Sequence, residues 1–186
     1  MGSVTGRNLI ISVFGESHGA GLGVNIDGFP SGVSLDLEQV AFEMSRRAPK
    51  KTAYSTARNE DDLPEIISGV LDNKTTGAPI CAVFRNKDAR SSDYSDFSDI
   101  PRPSHADYTA SLRYNKNNDI RGGGHFSGRL TAPVVFAGAL CRQYLKSKNV
   151  VIGAHIEEIG GLKDSRFSDM TLTFSLLDFL SKSDFP

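Results

Sequence analysis

Between Phe14 and Phe29 glycine stands at positions 15, 19, 21, 23 and 28. No stable helix runs through that density, because each glycine costs a helix interior about 1 kcal/mol relative to alanine. The flanks point to strands instead. Residues 9–14 (LIISVF) are apolar and β-branched, and residues 23–27 (GVNID) precede the Gly28, Pro30 and Gly32 punctuation. Two strands flanking GESHGAGLG are the simplest reading, with His18 presented at a strand end.

Further elements follow from periodicity. Leu37, Val40, Ala41 and Met44 recur at helical spacing, and Asp36 with Gln39 offers a capping box, so a helix is expected from Asp36 to about Arg46 and Arg47. Residues 65–71 and 80–84 read as strands joined by the turn-rich DNKTTGAP into a hairpin. Residues 55–63 are polar, 88–99 are rich in Ser and Asp, and 101–124 are expected to be loop-dominated. The apolar run TAPVVFAGALCRQYLK (131–146) is expected to be a largely buried helix starting near 128–131, with Pro133 in its first turn. A strand is expected at 150–156 and a short helix-like run at 175–186.

Composition limits what the chain can do. With 186 residues, 39% of them hydrophobic, it can bury a real core, as one domain or as part of something larger. A formal net charge of −1 gives no global positive field for nucleic acid or an anionic membrane, so an anionic partner must be held by local basic clusters. No stretch approaches the roughly 18 apolar residues of a membrane span, and the start shows no signal segment. Cys81 and Cys141 show no metal or redox spacing and suit a reducing compartment, so a cytoplasmic location is expected. The histidines at 18, 105, 125 and 155 lack ligand spacing, and no metal is expected.

The chemistry-bearing residues gather in loops. GESHG (15–19) matches the G-x-S-x-G elbow of serine hydrolases, with Ser17 as nucleophile, but that elbow needs an immediate helix and glycines follow instead. The same glycines lack the spacing of a dinucleotide fingerprint. A tight turn with a solvated His18 is the plain alternative. RPSHADYT (102–109) sets His105 between a cation and a carboxylate, which can fix its tautomer or pKa and makes it an acid/base candidate. RGGGHFSGR (121–129) leads into a helix start, where free N–H groups, the positive helix end, Arg121 and Arg129 would suit a phosphate, unless the glycines are only a linker. Arg46, Arg47, Lys50 and Lys51 form a second basic cluster, at a helix C-terminus where cations also have a structural use.

Taken together, GESHG at 15–19, TTGAPI at 75–80, RPSHADYT at 102–109 and RGGG at 121–124 resemble the chorismate synthase family, in that family's order and approximate spacing. The resemblance runs from about Asn8 to the last residues and includes RNKDARSSDYS at 85–95. It departs at Ser104, where the family often reads glycine, at His125-Phe126-Ser127, where it reads Arg-Ser-Ser, and around Ala53, where a further arginine is usual.

The resemblance implies an α+β fold, a β-α-β sandwich, with residues 1–186 forming the N-terminal part of the family domain and its C-terminal part absent. It implies a lyase that eliminates phosphate from 5-enolpyruvylshikimate 3-phosphate to give chorismate. Reduced FMN would be required without net redox change, NADPH would be a candidate reductant, and the assembly would be a homotetramer. His18 and His105 become the expected catalytic residues. His125, Phe126, Ser127 and Arg47 become the expected cofactor contacts. Arg47, Arg102, Arg121 and Arg129 become the expected holders of a small anionic substrate, since a guanidinium binds carboxylate and phosphate with paired hydrogen bonds. A flavin- or anion-binding fragment without turnover is the alternative.

Overall fold

The structure is a computed structural model that describes residues 3–48, 62–87, 100–163 and Leu177. It divides into two compact units, Met1–Gln143 and Tyr144–Pro186.

The first unit is built on strands β1 (Val4–Gly6), β2 (Ile10–Gly15) and β3 (Gly21–Asp27), the helix α1 (Leu37–Arg47), and strands β4 (Glu65–Ser68), β5 (Val70–Leu71), β6 (Lys74–Thr75) and β7 (Ile80–Arg85). Five of the strands form one antiparallel sheet in the order β1-β2-β3-β7-β4. The two strands expected around GESHGAGLG are β2 and β3, paired from Ile10 opposite Asp27 to Gly15 opposite Leu22.

Alternation decides which face of this sheet is covered. Leu22, Val24 and Ile26 of β3 lie opposite Phe84, Ala82 and Ile80 of β7, and all six are buried. Val40 and Met44 of α1 are buried as well, as are Ala132, Phe136, Ala137 and Leu140 of α3 (Thr131–Lys146). The rings of Phe84 and Phe136 meet edge to face at 6.1 Å, so α3 lies against the centre of the sheet. Burying an aromatic or branched side chain of this size contributes roughly 1.5–3 kcal/mol. The α+β expectation holds: an antiparallel sheet carries helices on one face.

α1 and α3 run antiparallel and are tied at both ends. The backbone N–H of Asp36 donates to Gln143 Oε1 and the Gln143 amide donates to Asp36 O, each at 2.8 Å, while Arg47 Nε donates to Thr131 Oγ1 at 3.4 Å. Half of the expected capping box therefore forms. Asp36 accepts from Gln39 N at 2.9 Å, but Gln39 turns its side chain to Glu43, because Gln143 already satisfies the Asp36 N–H. α3 begins as expected, after a 3₁₀ turn at Gly128–Leu130 whose cap is the Ser127 hydroxyl.

Two expectations need correction, and a third gains an element. The 65–84 hairpin pairs as expected through β4 and β7, but its connection folds into a second small hairpin, β5 with β6, around Asp72 and Asn73. Both sit at positive φ (48° and 57°), the twist that a two-residue hairpin turn requires. The 101–124 stretch is dominated by loop and turns as expected, but α2 (Asp107–Arg113) forms within it, too short for periodicity to reveal and without a side-chain cap. The strand expected at 150–156, in the second unit, is irregular, with Val150, Ile152 and Ile156 exposed. β-branched residues form a strand only where an edge accepts their backbone groups, and none does so among the described residues. That unit's described strands are instead β8 (Glu158–Ile159) and β9 (Leu162–Lys163). Residues 88–99 and the 175–186 run, apart from Leu177, lie outside the described residues.

Candidate functional site: two histidines on a triple glycine

The turn after β2 carries His18. Gly19 N donates to Glu16 O at 3.1 Å and closes the turn, and Ser17 N reaches across to Gly124 O at 3.1 Å. Ser17 is fully buried and His18 is 8% exposed, with Ser17 Oγ 3.3 Å from His18 Nδ1. His18 is thus a sheltered side chain, not a solvated one. The hydrolase reading fails on the same geometry: Ser17 is buried and strand β3, not a helix, follows.

What shelters His18 is the triple glycine. Gly122 and Gly123 stand at φ 57° and 83°. A methyl carbon at Gly122 would lie 2.1 Å from His18 Cε1 and Nδ1, and one at Gly123 would lie 3.0 Å from His105 Cε1 and Nε2. Glycine is needed here for its conformation and equally for the room it leaves. Adjacent residues of one backbone therefore seat two imidazoles 87 positions apart in the chain.

His105 is held locally. Its Nδ1 lies 2.6 Å from Asp107 Oδ1, and the same carboxylate takes Arg102 through Nε (2.7 Å), a terminal nitrogen (2.9 Å) and the backbone N–H (3.0 Å). A carboxylate only accepts, so Nδ1 carries the proton it shares with Asp107. The contact of Arg102 with Nδ1 at 3.3 Å is then no hydrogen bond, and Nε2 faces the glycine. The Arg102 guanidinium, more than the His105 contact, holds the Asp107 carboxyl well below the usual carboxylate range, against the opposing effect of burial. The arch also holds Ser104 at φ 60°, in the region that favours glycine.

The four expected arginines are each committed to an aspartate. Arg121 is exposed and grips Asp119 through Nε (2.9 Å) and a terminal nitrogen (2.7 Å), which keeps the Asp119 carboxyl acidic and pushes the Arg121 guanidinium up. Arg129, only 5% exposed, donates to Asp62 Oδ1 at 2.6 Å and to Asn86 Oδ1 at 2.7 Å. Arg47 donates to the other oxygen of Asp62. Arg121 and Arg129 thus serve different carboxylates and do not form the convergent pair expected beside the glycines. The sequence reading gave no role to Asp62, Asn86 or Asp119; Asn86 lay within a quoted motif, but its partners are 43 to 70 positions away.

His125 pins the loop to the sheet, donating from Nδ1 to Gly15 O at 2.9 Å and taking Ser3 Oγ at Nε2. Phe126, beside it, faces Tyr114 at 6.2 Å. With Phe14 these rings are about two-fifths exposed, and together with Asn117, Asn118 and Asp119 they line a cleft of about 470 Å³. That is within the range of small-molecule sites. In its wall Asn118 Oδ1 is buried with no hydrogen-bond partner. The aromatic rings of Phe14, Tyr114 and Phe126 on the cleft wall fit a planar heterocycle such as an isoalloxazine ring. No metal-holding cluster of His, Cys, Asp and Glu occurs among the described residues, and no helix there is long and apolar enough to cross a membrane.

Fold and site together define a mixed α+β protein whose histidines meet on a glycine-rich loop, with a ligand-sized cleft beside them. A chorismate synthase family model matches residues 9–182, and the chain belongs to the chorismate synthase family. It is 48% identical over 155 residues to the chorismate synthase of Pyrococcus abyssi, covering 83% of this chain and 43% of that protein. It is 46% identical over 160 residues to that of Chitinophaga pinensis, covering 86% and 48%. A crystal structure of chorismate synthase superposes with a TM-score of 0.60 at 28% identity, over 86% of this chain and 40% of the other. The chain thus spans less than half the length of these relatives.

Proposed function

We propose that this chain supplies the histidine-bearing part of a chorismate synthase site, where 5-enolpyruvylshikimate 3-phosphate loses phosphate by 1,4-anti elimination to give chorismate in aromatic amino acid biosynthesis. The observation that carries this reading is the seating of His18 and His105 on adjacent glycines. Overall the elimination removes a proton from one carbon and phosphate from another, the C–H electron pair going into the new C=C system, and the leaving phosphate takes up charge that a nearby donor can neutralise. His18 protonates or hydrogen-bonds that phosphate, and His105, oriented by Asp107, would support the negative charge of a reduced cofactor. Exchanging the two roles leaves the test unchanged.

Reduced FMN, when bound, supplies the transient electron or charge partner for an elimination without net redox change. Phe126 and His125 in the cleft wall and Ser127 beside them are the proposed holding residues. Arg102 and Arg121 are the proposed contacts for the substrate's anionic groups. Arg47 and Arg129 share Asp62, and Arg129 reaches the His18 turn through Asn86. NADPH as reductant, a homotetramer and a cytoplasmic location complete the proposal. The free thiols of Cys81 and Cys141 suit a reducing compartment.

The test is chorismate formation under anaerobic conditions with reduced FMN. His18→Ala and His105→Ala should each lower turnover by about 10² to 10⁴, and wild-type turnover in both variants would overturn the reading. A second reading, a flavin- or anion-binding part without turnover of its own, is favoured by the share of the relatives' length that the chain spans. Substrate-dependent quenching of FMN fluorescence without chorismate would select it.

A further inference from the structure

Asn86 follows the last residue of β7 and turns its side chain under the His18 loop. Its Nδ2 donates to Glu16 O at 3.0 Å and to Gly19 O at 2.9 Å, while its backbone N–H reaches Ala20 O at 3.4 Å. Its Oδ1 accepts from Arg129 Nε at 2.7 Å. The orientation of the amide follows from its partners, since two carbonyls need donors and a guanidinium needs an acceptor. Glu16 and Gly19 bracket Ser17 and His18, so one amide closes on the backbone to either side of the imidazole. Arg129 is in turn fixed to Asp62, which Arg47 also holds. Asn86 is therefore the joint between a buried ion cluster and the turn that carries His18. Few side chains can make it. Aspartate would set an oxygen against two carbonyl oxygens, and alanine would remove all three of the side chain's hydrogen bonds.

We propose that Asn86 is a positioning residue for His18, fixing where the imidazole stands over Gly122. The proposal rests on the reading of His18 as the group serving the leaving phosphate, and Asn86 itself touches no reacting atom. Misplacing a reacting group by about 1 Å can cost on the order of 10² in rate. Asn86→Asp should lower kcat for chorismate formation by roughly 10- to 100-fold and leave KM for 5-enolpyruvylshikimate 3-phosphate nearly unchanged. The imidazole resonances of His18 should shift while those of His155 stay in place.

A merely structural role would lower the unfolding midpoint and leave the His18 resonances of the folded chain where they were; that result overturns the proposal. A measurement on the unmutated 186-residue chain decides the matter if the variant does not fold. The Asn86 side-chain amide protons should exchange with solvent at least about tenfold more slowly than those of exposed Asn8, and equal rates would overturn the clamp. His18→Ala run in parallel separates the two claims. Full turnover in that variant removes the role of His18, whereas a crippled His18→Ala beside an unaffected Asn86→Asp removes the role of Asn86 alone.

Discussion

His105 and His18 rest on neighbouring glycines but are held in opposite ways. His105 takes its partner, Asp107, from two residues away, and Arg102 nearby holds that carboxylate in turn. The turn that carries His18 is held by Gly124 at Ser17 N and by Asn86 at the carbonyls of Glu16 and Gly19, and the His18 ring lies against Gly122, all three brought from distant parts of the chain. A locally held side chain keeps its orientation for as long as its own arch persists. One held at long range reports on the whole sheet, because any shift of β7 or of the triple glycine moves it.

The largest expected effect tests that difference at the shared bed. Gly122→Ala forces a carbon into the His18 ring and should lower turnover by more than about 10². Gly123→Ala meets His105 at a distance that a few tenths of an ångström relieves. It should cost on the order of tenfold, together with about 1–2 kcal/mol of backbone strain. Equal losses would erase the distinction between the two seats.

A middle effect concerns pH. The folded Asp107 carboxyl is more acidic than the unfolded one, so the stability it contributes is fully present above its unfolded pKa of about 4 and is lost as pH falls through its lower folded value. Asp107→Asn should destabilise the chain by about 1–3 kcal/mol at pH 7. It should also lose less than the wild type between about pH 4 and pH 2, as read from urea unfolding midpoints. The smallest effect is at Ser104. Relieving its φ of 60° with glycine should stabilise the chain by up to about 1 kcal/mol without altering turnover.

The same division explains what could be read from the sequence. β2, β3, α1 and α3 were legible because the β-branched run at 9–14, the glycine and proline punctuation, the Asp36 cap and the apolar run at 131–146 are local signals. So was the bond of His105 to Asp107. The strand expected at 150–156 failed because a strand needs a partner edge, and none of the described strands supplies one. α2 escaped notice because seven residues give periodicity little to show. The grip of Asp62 on Arg47 and Arg129, and of Asn86 on the His18 turn, joins residues 15 to 70 positions apart. Nothing in a basic motif shows whether its guanidinium will face a ligand or an internal carboxylate.

The central claim, that one triple glycine seats both histidines, is tested most directly by a nuclear Overhauser spectrum of the 186-residue chain labelled at histidine and glycine. The account predicts cross-peaks from the His18 ring to the Gly122 α-protons and from the His105 ring to those of Gly123. A chain that shows the Val24–Ala82 pairing of the folded sheet but neither of these cross-peaks would contradict it.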